Sequence, residues 1–267
     1  MQESFESYLQ KSNLSKNTIQ AYLFSVEAFH TRFKEVNRKN LLAFKGYLME
    51  NFNPKTVNLR IQGINKYLRF LKLGKLCLRT VKIQQRTFLE NVISNADYLF
   101  LCQKLKQAGE LKWYFVVRFL AATGARISEL LEIKVEHVLA GVLDIYGKGG
   151  KVRRIYFPKK MREEAEAWLK SEGRKSGYLF LNRFGGRITP RGISKQLKSF
   201  AEKYSINLAV VYPHSFRHRF AKNFLEKHND ISLLADLMGH ESIETTRIYL
   251  RKTSSEQREI VDEIVTW

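Results

Sequence analysis

The chain has 267 residues, 44% of them hydrophobic, enough to bury the cores of one large or two modest domains. Lysine and arginine total 46 against 26 aspartate and glutamate, and the net charge of +20 points to a polyanionic partner, nucleic acid or an anionic membrane surface. Apolar runs only a few residues long exclude a transmembrane helix, and the opening MQESFESYLQKS lacks the basic and apolar regions of a signal peptide.

The distribution of charge chooses between those partners. Residues 1–75 carry 13 basic and 5 acidic side chains, and residues 91–267 carry 30 and 20. Both halves are basic, which favours two folded surfaces gripping a nucleic acid over a polybasic membrane anchor. Cys77 and Cys102 have no metal-ligand spacing and read as free thiols in a reducing compartment. His218 and His228 lack the neighbouring thiols or carboxylates of a zinc site, so no metal is expected. A soluble, cytoplasmic protein is the expectation.

Residues 1–73 read as helical. The stretch Ser15-Lys16-Asn17-Thr18 offers an N-cap before a stripe of Ile19, Tyr22, Leu23, Val26 and Phe29. Asn53-Pro54 opens a second helix with Val57, Ile61, Ile64, Leu68 and Leu71 on one side. Its other face carries Lys55, Arg60, Lys66 and Arg69, which are either a solvated surface or contacts to DNA; the basic balance of this half favours DNA. Residues 76–92 have weak periodicity and read as an interdomain linker. Helical patterning resumes at Ser94, and Trp113 through Leu120 look like a buried helix leading into Thr123-Gly124. VLDIY (142–146) and VRRIYF (152–157) flank Gly147-Lys148-Gly149-Gly150 as a β-hairpin. Helices follow after Pro158, at Thr189-Pro190 and after Asp230, and a short one capped by Ser242 leads to Tyr249. The expected fold is mainly α in two domains, with a small antiparallel sheet in the second.

The last quarter holds His214-x-x-Arg217, Gly239-His240 and Tyr249, with Arg126 and Lys148 upstream. Together these side chains suit attack by a phenol oxygen on a phosphodiester. Tyrosine supplies an oxygen that forms a stable phosphoester. Arg126 and Arg217 supply planar, permanently charged forks that match two phosphate oxygens. Arg126 also stands at a turn entering a helix, where backbone N–H groups favour anions. His214 and His240 can hydrogen-bond the phosphate or move protons near neutral pH. Lys148, at a hairpin tip, can protonate the leaving 5′-oxygen, and Lys151 competes for that role. Glu129 is placed either to orient Arg126 or a histidine, or to make an ordinary helix salt bridge.

TGARISEL, GKGGKVRR, HSFRHRFA, LMGH and TTRIY, in this order, resemble the catalytic motifs of the tyrosine recombinase (phage integrase) family across roughly residues 94–267. The first 75 residues look like that family's helical core-binding domain, a weaker match. The resemblance implies a core-binding domain at 1–75, a linker at 76–92 and a catalytic domain at 93–267. It implies Arg126, Lys148, His214, Arg217 and His240 as the phosphate-activating set, with Tyr249 as nucleophile and no cofactor. It also implies a clamp around double-stranded DNA bearing paired half-sites, and a homotetramer joining two sites, with or without a second recombinase. The extra arm-binding domain of larger phage integrases is not expected ahead of residues 1–75, which places the chain nearer the compact Xer-like members. Two alternatives remain at this point: a type IB topoisomerase-like enzyme and a DNA-binding regulator without catalysis. Ile260, Val261, Ile264, Val265 and Trp267 give the tail an apolar face that suits docking on a neighbouring subunit and weighs against the topoisomerase.

Overall fold

The structure, a computed structural model, describes residues 4–83, 91–146, 152–240, 242–250 and 254–267, with the side chains of 254–257 and Ile260 excepted. The chain divides into two compact units, Met1–Gln85 and Arg86–Trp267.

The first unit contains α1 (Phe5–Lys11), α2 (Lys16–His30), α3 (Arg38–Asn51) and α4 (Pro54–Phe70). Local chemistry sets their starts. Ser15 accepts a hydrogen bond from the Thr18 N–H, and Asn53 accepts one from Thr56, with Pro54 in the first turn where its missing N–H costs nothing. The apolar stripes then meet in one core built on Phe29, Leu41, Phe44, Leu48, Val57, Ile61, Ile64 and Leu68.

The expected linker begins later than residue 76. Leu78 is 5% exposed and belongs to the core of the first unit. Asn65 accepts from the Leu78 N–H at 2.8 Å and donates to the Leu78 carbonyl at 2.8 Å; Asn58 treats Val81 the same way at 2.8 and 2.9 Å. Two asparagines therefore stand in for a strand partner and hold 77–81 along α4. At the other end, Ile93 is buried in the second unit and its N–H donates to Ser215 Oγ at 2.8 Å.

The second unit runs through α5 (Asn95–Gln107), α6 (Leu111–Thr123), α7 (Ile127–Leu130), α8 (Val135–Ala140), β1 (Val142–Tyr146) and β2 (Val152–Tyr156). It continues through α9 (Lys159–Ser171), α10 (Pro190–Lys203), α11 (Pro213–Lys227), α12 (Ile231–Met238) and α13 (Ile243–Arg247). A 3₁₀ turn, Ile248–Leu250, and α14 (Ser254–Ile264) complete it. α6 is the central helix, with Trp113, Phe115, Val116, Val117, Phe119 and Leu120 all buried. β1 and β2 pair antiparallel, with Val142 opposite Tyr156 and Tyr146 opposite Val152. Leu143 and Ile155 face the core, so by the two-residue period Arg153 also points inward and Arg154 outward, where it meets Asp144 at 2.7 Å. The fold is mainly α with one small antiparallel sheet. Among the described residues no helix is long and apolar enough to cross a membrane.

Candidate active site

The C-terminal end of α12 organises the site. Gly239 ends that helix in the left-handed conformation, with φ 60°, and a Cβ there would sit 2.4 Å from Arg153 Cδ. Three successive carbonyls at this end each accept from a different arginine. Leu237 O takes Arg153 Nε at 2.8 Å, Met238 O takes Arg217 Nη2 at 2.7 Å, and Gly239 O takes Arg126 Nη2 at 2.9 Å. A helix C-terminus presents unsatisfied carbonyls and partial negative charge, so it collects cations that would otherwise repel one another. Gly124, also left-handed, ends α6 against the Phe220 ring, and its carbonyl receives Arg217 Nη1. Arg217 is 3% exposed, and burial followed by the charges of Arg126 and Arg153 pushes its pKa down to about 10.

Glu129 joins two of these arginines. It is 7% exposed and accepts from Arg126 Nη1 at 2.8 Å and from Arg153 Nη1. Burial alone raises its pKa, but the charge of Arg153 and the hydrogen bonds from Arg126 outweigh that and lower it, so the carboxylate stays ionised. Three guanidinium groups and one carboxylate leave a local charge of about +2. The expectation that backbone N–H groups at Arg126 serve an anion needs correction. The Arg126 N–H points to Glu129 Oε2 at 2.7 Å, because the helix it opens is only four residues long and Glu129 caps it from within.

The imidazoles are held neutral. His240 Nε2 lies 3.0 Å from Arg217 Nη2, and its Nδ1 lies 2.7 Å from the buried Thr246 Oγ1. Burial, then the charges of Arg217, Arg126 and Arg153, lower the His240 pKa to about 4. His214 stands at the surface in the first turn of α11, and its pKa is lowered by partial desolvation and then by Arg217 and Arg126. Tyr249, 6% exposed in the 3₁₀ turn, stacks against His240 at 6.2 Å between ring centres. Its hydroxyl lies 3.2 Å from His218 Nδ1. Burial raises the phenol pKa, and the nearby charges of Arg217 and Arg126 oppose that rise.

Arg126, Glu129, Arg217, His240 and Tyr249 thus come together from four separate stretches of chain, with His214 at the rim. Lys148 and Lys151 lie outside the described residues. Arg153, His218 and Thr246 were missed by sequence reasoning. The signal for Arg153 is its inward parity on β2, beside Ile155; that for His218 is its position one turn after His214. Among the described residues no cluster of three or more His, Cys, Asp or Glu side chains is arranged to hold a metal ion.

On α4 of the first unit, Lys55 and Arg69 are exposed and share a face with the half-buried Lys66. Lys66 and Arg69 line a depression with Leu14, Tyr22, Gln62 and Asn65. Arg60 is not on that face. It flanks the buried stripe, its guanidinium 4.1 Å above the Phe24 ring and its Nη1 donating to Ala21 O at 3.3 Å. Burial lowers its pKa.

A model of the phage integrase family matches residues 84–256, and the chain belongs to that family. Over nearly its whole length it is similar to the tyrosine recombinase XerA of Pyrococcus furiosus, with 30% identity covering 97% of this chain and 92% of that protein. Its fold is similar to that of the XerH site-specific recombinase bound to difH substrate, at a TM-score of 0.72 and 19% identity over 96% of this chain and 83% of that one. It is also similar to lambda integrase, solved as a tetramer bound to a Holliday junction, at a TM-score of 0.72 and 15% identity over 94% and 77% of the two chains.

Proposed function

We propose that this enzyme is a site-specific DNA recombinase in which Tyr249 is the nucleophile. Its phenol oxygen attacks a DNA phosphodiester, forming a 3′-phosphotyrosyl ester and releasing a 5′-hydroxyl. The 5′-hydroxyl of a partner strand attacks that ester, and a second round resolves a Holliday junction. The bond energy is kept in the ester, so no nucleotide hydrolysis is required. The observation that carries this reading is the gathering of three arginines on the end of α12, two of which, Arg217 and Arg126, oppose the rise that burial imposes on the pKa of the Tyr249 phenol.

A phosphodiester under attack passes through a pentacovalent arrangement with two negative charges, and the local charge of about +2 is fixed before the reaction begins. Arg126 and Arg217 are the phosphate ligands in this scheme. His240 and His214 contact the phosphate oxygens, Glu129 fixes Arg126, and Lys148 or Lys151 protonates the leaving oxygen. Residues 1–75 serve as the core-binding domain and 93–267 as the catalytic domain, the two closing on double-stranded DNA with Lys55, Lys66 and Arg69 toward phosphates.

A strand-relaxing enzyme of the type IB topoisomerase class would use the same attack. One feature favours exchange between sites. Val261, Ile264, Val265 and Trp267 of the tail are all exposed, 44–90% each, which suits a contact with another copy in a homotetramer. The tetrameric lambda integrase structure supports the same assembly. The test is a duplex nicked beside the cleavage point, which traps the covalent intermediate on a denaturing gel. Wild type should form the adduct and Tyr249→Phe should not, while both bind DNA. Recombinant products between two sites, rather than relaxed plasmid alone, separate recombinase from topoisomerase.

A further inference from the structure

We propose that His218, through Nδ1, is the general base that takes the proton from the Tyr249 hydroxyl as it attacks. This rests on the reading of Tyr249 as nucleophile. In an in-line displacement the attacking and leaving oxygens lie on opposite sides of phosphorus, so the base at the tyrosine and the acid at the 5′-oxygen must be different groups. His218 Nδ1 lies 3.2 Å from the phenol oxygen, within reach of that proton. His214, the histidine that the sequence pattern brings forward, is one turn away, with its ring centre 6.3 Å from that of His218.

The surroundings keep His218 able to accept. Burial, then His214 and Arg217 on its own helix, hold its pKa at about 4, so the resting ring is neutral. From the facing 3₁₀ turn comes Tyr249, backed by the neutral His240. Burial keeps the phenol protonated before DNA arrives. As the Oη–P bond forms, the hydroxyl becomes strongly acidic and the transfer to Nδ1 runs downhill. The P–O5′ bond then breaks, and the leaving oxygen takes its proton from a general acid distinct from His218. In the return reaction His218 gives the proton back to the tyrosine oxygen.

The test is single-turnover cleavage of a nicked duplex across pH by the full chain. His218→Asn keeps an amide acceptor near the position of Nδ1 but cannot take a proton. It should cleave at least ~10²-fold more slowly at neutral pH, the scale of general-base assistance. Its rate should then climb roughly tenfold per pH unit as phenolate becomes available, whereas wild type stays level between about pH 7 and 9. His218→Ala, with space for a free ring, should regain cleavage on addition of imidazole. This second variant carries the test if the asparagine form does not fold. A wild-type rate in His218→Asn, a slow rate with an unchanged pH profile, or no imidazole rescue would each overturn the proposal. Tyr249→Phe is run alongside. An adduct formed by that variant sinks the nucleophile assignment itself, whereas no adduct with normal cleavage by His218→Asn sinks only the base.

Discussion

Arg217 donates through Nη2 to Nε2 of His240 at 3.0 Å, and because a guanidinium has no acceptor, that ring nitrogen carries no proton. The proton of the neutral ring therefore sits on Nδ1 and is donated to Thr246 Oγ1 at 2.7 Å. One arginine and one threonine thus set the tautomer of a residue that lies between Arg217 and Tyr249. Thr246→Val should strand the Nδ1–H in a buried place at a cost of about 1–3 kcal/mol. If that cost falls on the transition state, single-turnover cleavage slows by roughly 5- to 150-fold. Thr246→Ser should restore most of the rate; equal rates for valine and threonine would remove this contact from the mechanism.

Arg153 should matter to stability as much as to chemistry. It joins β2 to Glu129 and to the Leu237 carbonyl with its side chain 9% exposed. Arg153→Met leaves Glu129 short of a partner and should destabilise the fold by about 3–5 kcal/mol, as breaking one side of a buried pair does. Adding Glu129→Gln should recover part of the loss, so that the two changes are not additive in urea unfolding.

Acid should weaken the fold through the same site. His218 and His240 have pKa values near 4 in the folded chain against 6.5 for a free imidazole. The unfolded chain binds their protons first, so these groups are indifferent above pH 6.5 and cost stability progressively as pH falls from 6.5 to 4. Glu129, with its pKa lowered, acts in the same direction at the acid end of that range. Melting temperatures measured across this range should fall, and His218→Asn with His240→Asn should flatten the slope. A slope unchanged in the double variant would contradict the assignment.

The α4 face separates two kinds of arginine. Lys55, Lys66 and Arg69 should each contribute roughly 0.9 to the slope of log K against log salt if each meets a phosphate. Replacing all three with glutamine should make the slope visibly shallower. Arg60→Gln should leave the slope alone and lower the melting temperature instead, since Arg60 packs on Phe24 and Ala21.

Much of the fold was legible because its determinants are local. Ser15, Asn53, Thr189, Asp230 and Ser242 each cap a helix within three residues of themselves, and the hairpin strands pair across their own turn. The order of motifs pointed to residues that meet around α12. What stayed hidden depends on distant partners. Arg153 finds its acceptor 84 residues away at Leu237, and His218 finds Tyr249 31 residues away. Asn58 and Asn65 capture 77–81 through side-chain hydrogen bonds that leave no periodic trace. Arg60 looked like its charged neighbours because charge alone does not say which edge of the apolar stripe a residue flanks.

The most direct test of the account is the position of the covalent link. Wild-type protein trapped on a nicked duplex, then digested with nuclease and protease, should give one modified peptide by tandem mass spectrometry. The account predicts a nucleotide remnant on Tyr249, attached through a 3′-phosphate. A remnant on any other of the chain's 12 tyrosines, on a serine, or on a 5′-phosphate would contradict it.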